Sequence, residues 1–146
     1  MSERPRRPLR ADFARFVPVS TRWMDNDVYG HVNNVVYYSF FDTAVNALLV
    51  AAGALDVKAS DVVGLVASNR CDFFASVAFP DSIEVGVRVA HIGRSSARYE
   101  LGVFRAGEAM AAARGEFTHV YVERATQRPV DIPAATRRFL EGLQTP

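Results

Sequence analysis

The sequence predicts an α+β fold in which one antiparallel β-sheet curls around a single long helix. The run over residues 35–52 is apolar nearly all round, as in a helix covered by other elements. Strand-like segments fill most of the downstream chain, and short turns rather than helices join them, which favours antiparallel neighbours. With 146 residues, 49% of them hydrophobic, the chain suits one domain with one core.

The first strand is predicted within residues 13–23, which are rich in β-branched and aromatic side chains. Pro18 indicates an edge strand or a bulge, because proline cannot donate a ladder hydrogen bond. A polar loop follows over residues 24–33. Asn33 or Asn34 can then cap the long helix.

The long helix is predicted to end at Gly53, a residue suited to a left-handed C-terminal position. Its polar residues share one narrow stripe at helical spacing, Ser39, Asp42, Thr43 and Asn46. A helix of this kind needs a cover from the rest of the chain.

Four downstream strands supply that cover, over residues 62–74, 81–92, 96–105 and 110–122. Hairpin turns are predicted at residues 93–95 and 106–108. Pro133 opens a short C-terminal helix that ends near Gly142.

Charge and cysteine content exclude several classes of protein. With 17 basic and 16 acidic residues, no strong field favours nucleic acid or a membrane as partner. Cys71 is the only cysteine, so an intramolecular disulfide or a cysteine zinc cluster is impossible and a reducing compartment is expected. Residues 1–12 are expected to form a flexible basic tail, since no apolar signal core follows them. We therefore expect a cytoplasmic protein.

Familiar catalytic motifs are missing from the sequence. It has no Gly-x-Ser-x-Gly elbow, phosphate-binding P-loop, dinucleotide glycine motif or paired-histidine metal motif. We therefore predict no metal and no cofactor. Cys71 lies in the middle of a predicted strand, which argues against a nucleophile, and His91 and His119 are expected to be structural.

Polar residues concentrate over residues 25–34, between the first strand and the long helix. A carboxylate there can be stabilised by the helix dipole, and unpaired N–H groups of the first helical turn can polarise a carbonyl. The alternative is that these Asp and Asn residues only cap the helix and shape a turn.

This cluster resembles the signature of hotdog-fold acyl-CoA thioesterases of the 4-hydroxybenzoyl-CoA thioesterase-like family. The matching residues are Asp25-Asn26-Asp27, then Gly30-His31-Val32-Asn33-Asn34, then Tyr37 or Tyr38, and Asp42. Later segments at residues 71–74, 79–81, 92–96 and 126–133 are similar to that family's landmarks in the same order. The resemblance covers roughly residues 13 to 142, so residues 13–146 are taken as one hotdog domain.

The resemblance implies roles for three residues of the cluster. Asp27 corresponds to the catalytic carboxylate, which attacks the thioester or activates a water that does. His31 matches the polarising or proton-transferring histidine of plant acyl-carrier-protein thioesterases, although Tyr29 stands where those enzymes have Asn. The backbone N–H of Asn34 corresponds to the helix-terminal donor to the thioester oxygen.

The resemblance also suggests substrate contacts. Tyr29, Tyr38 and Asp42 are assigned to substrate binding, with a structural hydrogen bond as the alternative for Asp42. Arg94, Ser95 and Ser96 are candidates for the CoA phosphates, although a plain hairpin uses the same residue types. Aromatic side chains are expected to set the acyl pocket, namely Phe40, Phe41, Phe73 and Phe74.

These expectations describe a homodimer or homotetramer that hydrolyses acyl-CoA, or acyl-carrier-protein, thioesters at a site built between two chains. Two alternatives come from other functions of the same fold. One is a hydratase or dehydratase that leaves the thioester intact. The other is a non-catalytic acyl-CoA-binding regulatory module, against which the presence of both Asp27 and His31 argues.

Overall fold

The computed structural model describes residues 3–146 and holds, within them, one five-stranded antiparallel sheet with a long helix on one face. The elements are β1 (Arg15–Ser20), α1 (Val36–Ala51), β2 (Val62–Phe73), β3 (Ser82–Ile92), β4 (Ser96–Arg105), β5 (Ala113–Glu123) and α2 (Ala134–Glu141). The strand order is β1-β3-β4-β5-β2, which leaves β1 and β2 at the edges. The predicted α+β hotdog fold is confirmed, as is the edge position of the strand that contains Pro18.

Helix α1 lies very close to the sheet. Gly115 of β5 makes this approach possible, because a Cβ at that position would stand 2.4 Å from the ring of Phe41. The buried face of α1 consists of Tyr37, Phe40, Phe41, Ala44, Val45 and Leu49. The opposite face, which includes Tyr38 and Val50, stays exposed, so the sheet of one chain covers α1 on one side only.

The start of α1 differs in detail from the predicted cap. Asn33 accepts a hydrogen bond from the N–H of Val35 at its Oδ1 atom, 3.1 Å away, one residue before the helix begins. The helix has no side-chain cap of its own, so capping by Asn34 was wrong. At the other end Gly53 has a φ of +73°, which confirms the predicted left-handed terminus.

Strand β2 is a long, open edge. It spans 12 residues and pairs only with β5, with a bulge between Val66 and Ser68. Leu65, Val66 and Phe73 are each 40% exposed or more despite their apolar side chains. An unpaired apolar edge of this length is a ready surface for another strand.

The chain before β1 crosses the face of the sheet away from α1. Phe13 packs into the space left by Gly86 and Gly102, where a Cβ would stand within 2.8 Å of its ring. The guanidinium of Arg10 bonds to the carboxylate of Glu84 at 3.1 Å. The division of the chain into a tail and a domain at residue 12 stays a prediction. No helix within residues 3–146 is both long and apolar enough to cross a membrane.

His119 should make the stability of the protein depend on pH. It is 2% exposed on the face of β5 toward α1, and burial lowers its pKa to about 4. An unfolded histidine has a pKa near 6.5, so between those values only the unfolded chain takes up the proton. The stability contributed by the neutral ring is complete above pH ~6.5 and is lost as the pH falls toward ~4, about 3 kcal/mol in all.

Urea unfolding between pH 4 and 7 measures this effect. In His119→Phe the free energy of unfolding should fall less steeply across the window than in the unsubstituted protein. His91→Phe, at an exposed position, is the matched control and should keep the full slope. Equal slopes in all three proteins would contradict the prediction.

Candidate active site

The loop before α1 is fixed by buried polar contacts. Asp25 is 1% exposed and accepts hydrogen bonds from the guanidinium of Arg22, the shorter at 2.8 Å. Its carbonyl accepts the N–H of Asn33, and the side-chain oxygen of Asn26 accepts the N–H of Phe79 at 3.0 Å. Asp25 and Asn26 therefore hold the loop, while the next residue is left to face outward.

Asp27 sits on a tight turn that presents its carboxylate. One carboxylate oxygen, Oδ1, accepts the N–H of Tyr29 at 2.9 Å. The carbonyl of Asp27 accepts the N–H of Gly30, whose φ of +85° closes the turn, and its N–H donates to the carbonyl of His31. The second oxygen, Oδ2, has no donor anywhere in residues 3–146. Turn shaping thus occupies one oxygen, and the other has no partner within the described residues.

A cavity of about 430 Å³ opens beside this carboxylate. Its polar side is formed by Asp27, Tyr29, His31 and Asn34, and its apolar side by Val32, Tyr37, Phe73 and Phe74. A wider depression of about 740 Å³ adjoins it and shares Asp27 and Tyr29. Asp27 therefore lies where two open spaces meet.

The turn directly before α1 adds a residue with a free N–H, Asn34, to the lining of the same cavity. The N–H of Asn33 donates to Asp25, and the N–H groups of Val35 and Val36 both donate to Asn33. The N–H of Asn34 finds no acceptor in the described part of the chain. A free N–H at a helix N-terminus carries partial positive charge and suits an oxyanion.

His31 lines the cavity without touching the carboxylate of Asp27. No hydrogen bond or ion pair joins the two side chains within the described residues. The imidazole instead stacks on the ring of Tyr29, with centroids 6.5 Å apart and an interplanar angle of 25°. The structure thus brings together four predicted residues, Asp27, Tyr29, His31 and Asn34.

Two other predicted residues face elsewhere. Tyr38 and Asp42 lie on the exposed face of α1 and do not line the cavity. The carboxylate of Asp42 makes no hydrogen bond among residues 3–146, so the expected structural bond is missing, and partial burial raises its pKa. Tyr37 lines the cavity instead, with its ring edge-on to Phe73 at 4.9 Å. Burial raises the pKa of Tyr37 to about 12, so its hydroxyl stays protonated.

The β3–β4 hairpin with Arg94, Ser95 and Ser96 lies at the other end of the sheet. Strand β4 begins at Ser96, next to the hairpin. The cavity lies at the level of Val103, because Val103 pairs with Ala113 and Ala113 pairs with Phe73 of the cavity wall. Seven residues of extended chain separate the two levels, roughly 23 Å. The guanidinium of Arg94 is exposed and pairs with Asp131 at 2.5 Å. One chain therefore does not bring the hairpin to Asp27.

Cys71 is outside the lining of the cavity beside Asp27. It lies half-buried in β2, and burial raises the pKa of its thiol to about 12, so the thiolate is scarce at neutral pH. Within residues 3–146 no three His, Cys, Asp or Glu side chains converge as metal ligands.

Comparisons with known proteins bear on the fold and the family of this chain. The model of the thioesterase-like superfamily matches residues 21–140. The PA5185 protein from Pseudomonas aeruginosa strain PAO1 is 56% identical, and its crystal structure matches 96% of this chain and 98% of its own with a TM-score of 0.93. A thioesterase from Thermus thermophilus, solved in complex with coenzyme A and Zn, is 32% identical over 89% of this chain and 93% of its own, with a TM-score of 0.71.

A curated relative is matched over a shorter stretch. The uncharacterized protein YsmA from Bacillus subtilis strain 168 is 25% identical over 92 residues. That stretch is 63% of this chain and 62% of YsmA.

Proposed function

Since this chain belongs to the thioesterase-like superfamily, we propose that it hydrolyses an acyl-CoA thioester with Asp27 as the catalytic carboxylate. The observation that carries the proposal is one cavity lined both by Asp27, which has a free carboxylate oxygen, and by Asn34, which has a free N–H just before α1. Thioester hydrolysis needs both, because an oxygen must be activated for attack and the carbonyl oxygen gains negative charge.

The proposed reaction assigns one task to each group. The thioester oxygen accepts the N–H of Asn34, which polarises the carbonyl and stabilises the developing oxyanion. Asp27 acts at its Oδ2 atom, either as general base to a water molecule or as the nucleophile itself. The carbon–sulfur bond then breaks and a proton passes to the CoA thiolate. When water is the attacking group the acid is released at once, whereas attack by Asp27 leaves a mixed anhydride that a water molecule then hydrolyses to acid and free carboxylate. His31, on the wall of the same cavity, is proposed to assist this proton transfer.

The substrate is proposed to enter from the loop side. Tyr29 lies between the two open spaces and can contact the pantetheine arm, while Tyr37, Phe73 and Phe74 offer apolar walls to the acyl group. The thioesterase from Thermus thermophilus in complex with coenzyme A supports CoA as the carrier.

A second chain is proposed to complete the site. Arg94, Ser95 and Ser96 are roughly 23 Å from the level of Asp27 along β4. If two β2 edges pair in antiparallel fashion, opposite ends of the two sheets come level. The hairpin of one chain then lies at the same end as Asp27 of the other. Tyr38 and Asp42, on the exposed face of α1, would face the second chain in this arrangement.

A panel of short, long and aromatic acyl-CoA and acyl-carrier-protein thioesters tests the proposal. Release of free thiol should accompany release of the free acid in mass spectra of the products. A product with a gained or lost double bond and an intact thioester would identify a hydratase or dehydratase instead. Tight CoA-thioester binding without turnover of any substrate would identify a binding module.

Arg94→Ala should raise KM for acyl-CoA by about fivefold or more and leave hydrolysis of a truncated pantetheine thioester almost unchanged. The reason is that only the longer substrate carries the phosphates that a guanidinium would bind. Steady-state kinetics with both substrates measure the difference. Arg98→Ala is the matched control, since Arg98 is exposed on the neighbouring strand and pairs with Glu116. An equal loss of kcat/KM on both substrates would indicate that Arg94 only stabilises the turn through its ion pair with Asp131.

A further inference from the structure

A second cavity, of about 270 Å³, lies at the end of α1 farthest from Asp27. It is bounded by the last turn of α1, the segment at residues 54–57, the start of β2 and the end of β5. Its walls are mostly aliphatic and include Leu49, Ala54, Leu55, Val62 and Val63. Because α1 has 16 residues and is roughly 24 Å long, this cavity is separate from the proposed active site of the same chain.

The floor of this cavity is polar. His119 and Tyr121 of β5 line it and are 2% and 4% exposed. The Nδ1 atom of His119 and the hydroxyl of Tyr121 have no hydrogen-bond partner among residues 3–146. Tyr99 lies behind this floor and does not line the cavity: its hydroxyl is near that of Tyr121, and its ring meets His119 edge-on at 5.4 Å. Buried polar atoms are nearly always paired, so two unpaired atoms on the floor of an aliphatic cavity point to a ligand group.

The opposite strand leaves room for this floor. Gly64 of β2 faces His119, and a Cβ at Gly64 would stand 2.9 Å from the Nδ1 atom. Any side chain at this position would displace the imidazole or fill the cavity. The position therefore requires glycine for reasons of space.

The interior of the cavity carries no free charge. Burial lowers the pKa of His119 to about 4, so the imidazole is neutral near pH 7, and burial also raises the pKa of Tyr121. Arg124 is the charged residue of the lining, and its guanidinium donates to the carbonyls of Ser60 and Val57 at 2.7 and 3.0 Å. Arg124 is exposed, so an anionic group at the floor would face the neutral His119 and Tyr121 and lose its hydration there without gaining an ion pair.

We propose that this cavity binds an uncharged ligand that consists of an apolar chain with a hydroxyl or carbonyl group at its end. The chain would pack against the aliphatic walls, and the polar end would hydrogen-bond to His119 and Tyr121. Two sources have this chemistry. One is a free small alcohol or ketone. The other is the far end of an acyl group whose thioester lies at Asp27 of a second chain, since antiparallel pairing of two β2 edges would place the start of one β2 beside the end of the other.

NMR titration of the isotope-labelled protein with 1-hexanol tests the binding directly. Saturable shifts are expected at the amide of Gly64 and the ring of His119. Hexanoate, which has the same chain length but is charged, should bind at least tenfold more weakly. Tyr121→Phe should weaken hexanol binding about five- to tenfold, the loss of one hydrogen bond. Thr118→Val, which removes a hydroxyl from the other face of β5, is the matched control and should bind as before.

Thermal unfolding of the ligand-free variants distinguishes a ligand site from a structural role. Tyr121→Phe removes a hydroxyl that has no partner among residues 3–146, so Tm should stay the same or rise. A lower Tm together with unchanged hexanol affinity would overturn the proposal. So would the absence of saturable shifts at Gly64 and His119, or equal hexanol affinity in Tyr121→Phe and the unsubstituted protein.

Hydrolysis of two substrates then identifies the source. If the ligand is the end of an acyl group, Tyr121→Phe lowers kcat/KM for 6-hydroxyhexanoyl-CoA by about tenfold and leaves hexanoyl-CoA unchanged. If the ligand is a free molecule, kcat/KM changes for neither substrate while hexanol binding still weakens. This second experiment rests on the proposed function. The titration requires no turnover, so a failure of the proposed hydrolysis would leave it unaffected.

Discussion

Asp27→Asn is expected to lower kcat by about 10²- to 10⁴-fold while substrate still binds. Asparagine keeps the shape of the side chain, and its amide oxygen can still accept the N–H of Tyr29 that closes the turn. It has no negative charge, so it can neither take a proton from water nor attack the thioester. Single-turnover kinetics measure the chemical step, and calorimetry with CoA measures binding separately.

Asp25→Asn provides the control from the same loop. Asp25 is buried and accepts hydrogen bonds from the guanidinium and the N–H of Arg22. Its substitution should lower the free energy of unfolding by roughly 1–3 kcal/mol, since charge-assisted bonds are lost, and change kcat only a few-fold in the folded protein. Near-native turnover by Asp27→Asn would end its assignment as the catalytic residue. Equal loss of kcat in both variants would indicate a damaged loop.

Local sequence patterns were sufficient to predict the elements of the fold. The alternation of apolar and polar residues predicted β3 and β4 almost to the residue, because each strand buries one face. Helix α1 begins and ends within one residue of its predicted limits, where Gly53 marks the terminus. The site loop was also evident from sequence, since its polar residues are consecutive and lie directly before the helix.

Which face of α1 is buried was harder to predict, because the helix is apolar on nearly all sides. Tyr37 and Tyr38 are adjacent and so point about 100° apart on a helix. The packing of α1 on the sheet, with Phe41 over Gly115, turns Tyr37 toward the cavity and Tyr38 toward the open face. This contact joins residues that are far apart in sequence. The periodicity of one helix carries no information about such a contact.

The register of the strands and the unpaired state of buried polar groups likewise could not be predicted from local sequence patterns. Arg94 and the cavity both belong to one sheet, but the distance from Arg94 to Asp27 depends on the register of β4, β5 and β2. His119 and Tyr121 alternate along β5 as ordinary core residues would. Their unpaired polar atoms become evident only beside Gly64 of another strand.

Apolar side chains are exposed beside the proposed site, on the free edge of β2 and on the uncovered face of α1. We therefore expect a substitution there to disrupt the association of two chains. Val66 lies on the free edge of β2 and is 40% exposed, and Tyr38 and Val50 leave apolar surface on the uncovered face of α1. Phe73, a wall of the cavity, lies on the same edge at 40% exposure. A second chain paired along β2 would bury all four side chains and close the open side of the cavity.

We therefore expect Val66→Lys to convert a dimer or tetramer into monomers and to remove most of the hydrolytic activity with it. A lysine at the edge brings a charge that must be desolvated for pairing, a device by which natural edge strands avoid association. Leu9→Lys is the matched control, because Leu9 is also 40% exposed but lies outside β2 and α1. Sedimentation velocity alongside specific activity, over a dilution series, should show both quantities falling together in Val66→Lys and unchanged in Leu9→Lys. A fully active monomer would remove the second chain from the site and leave the role of Asp27 to be judged on its own variant.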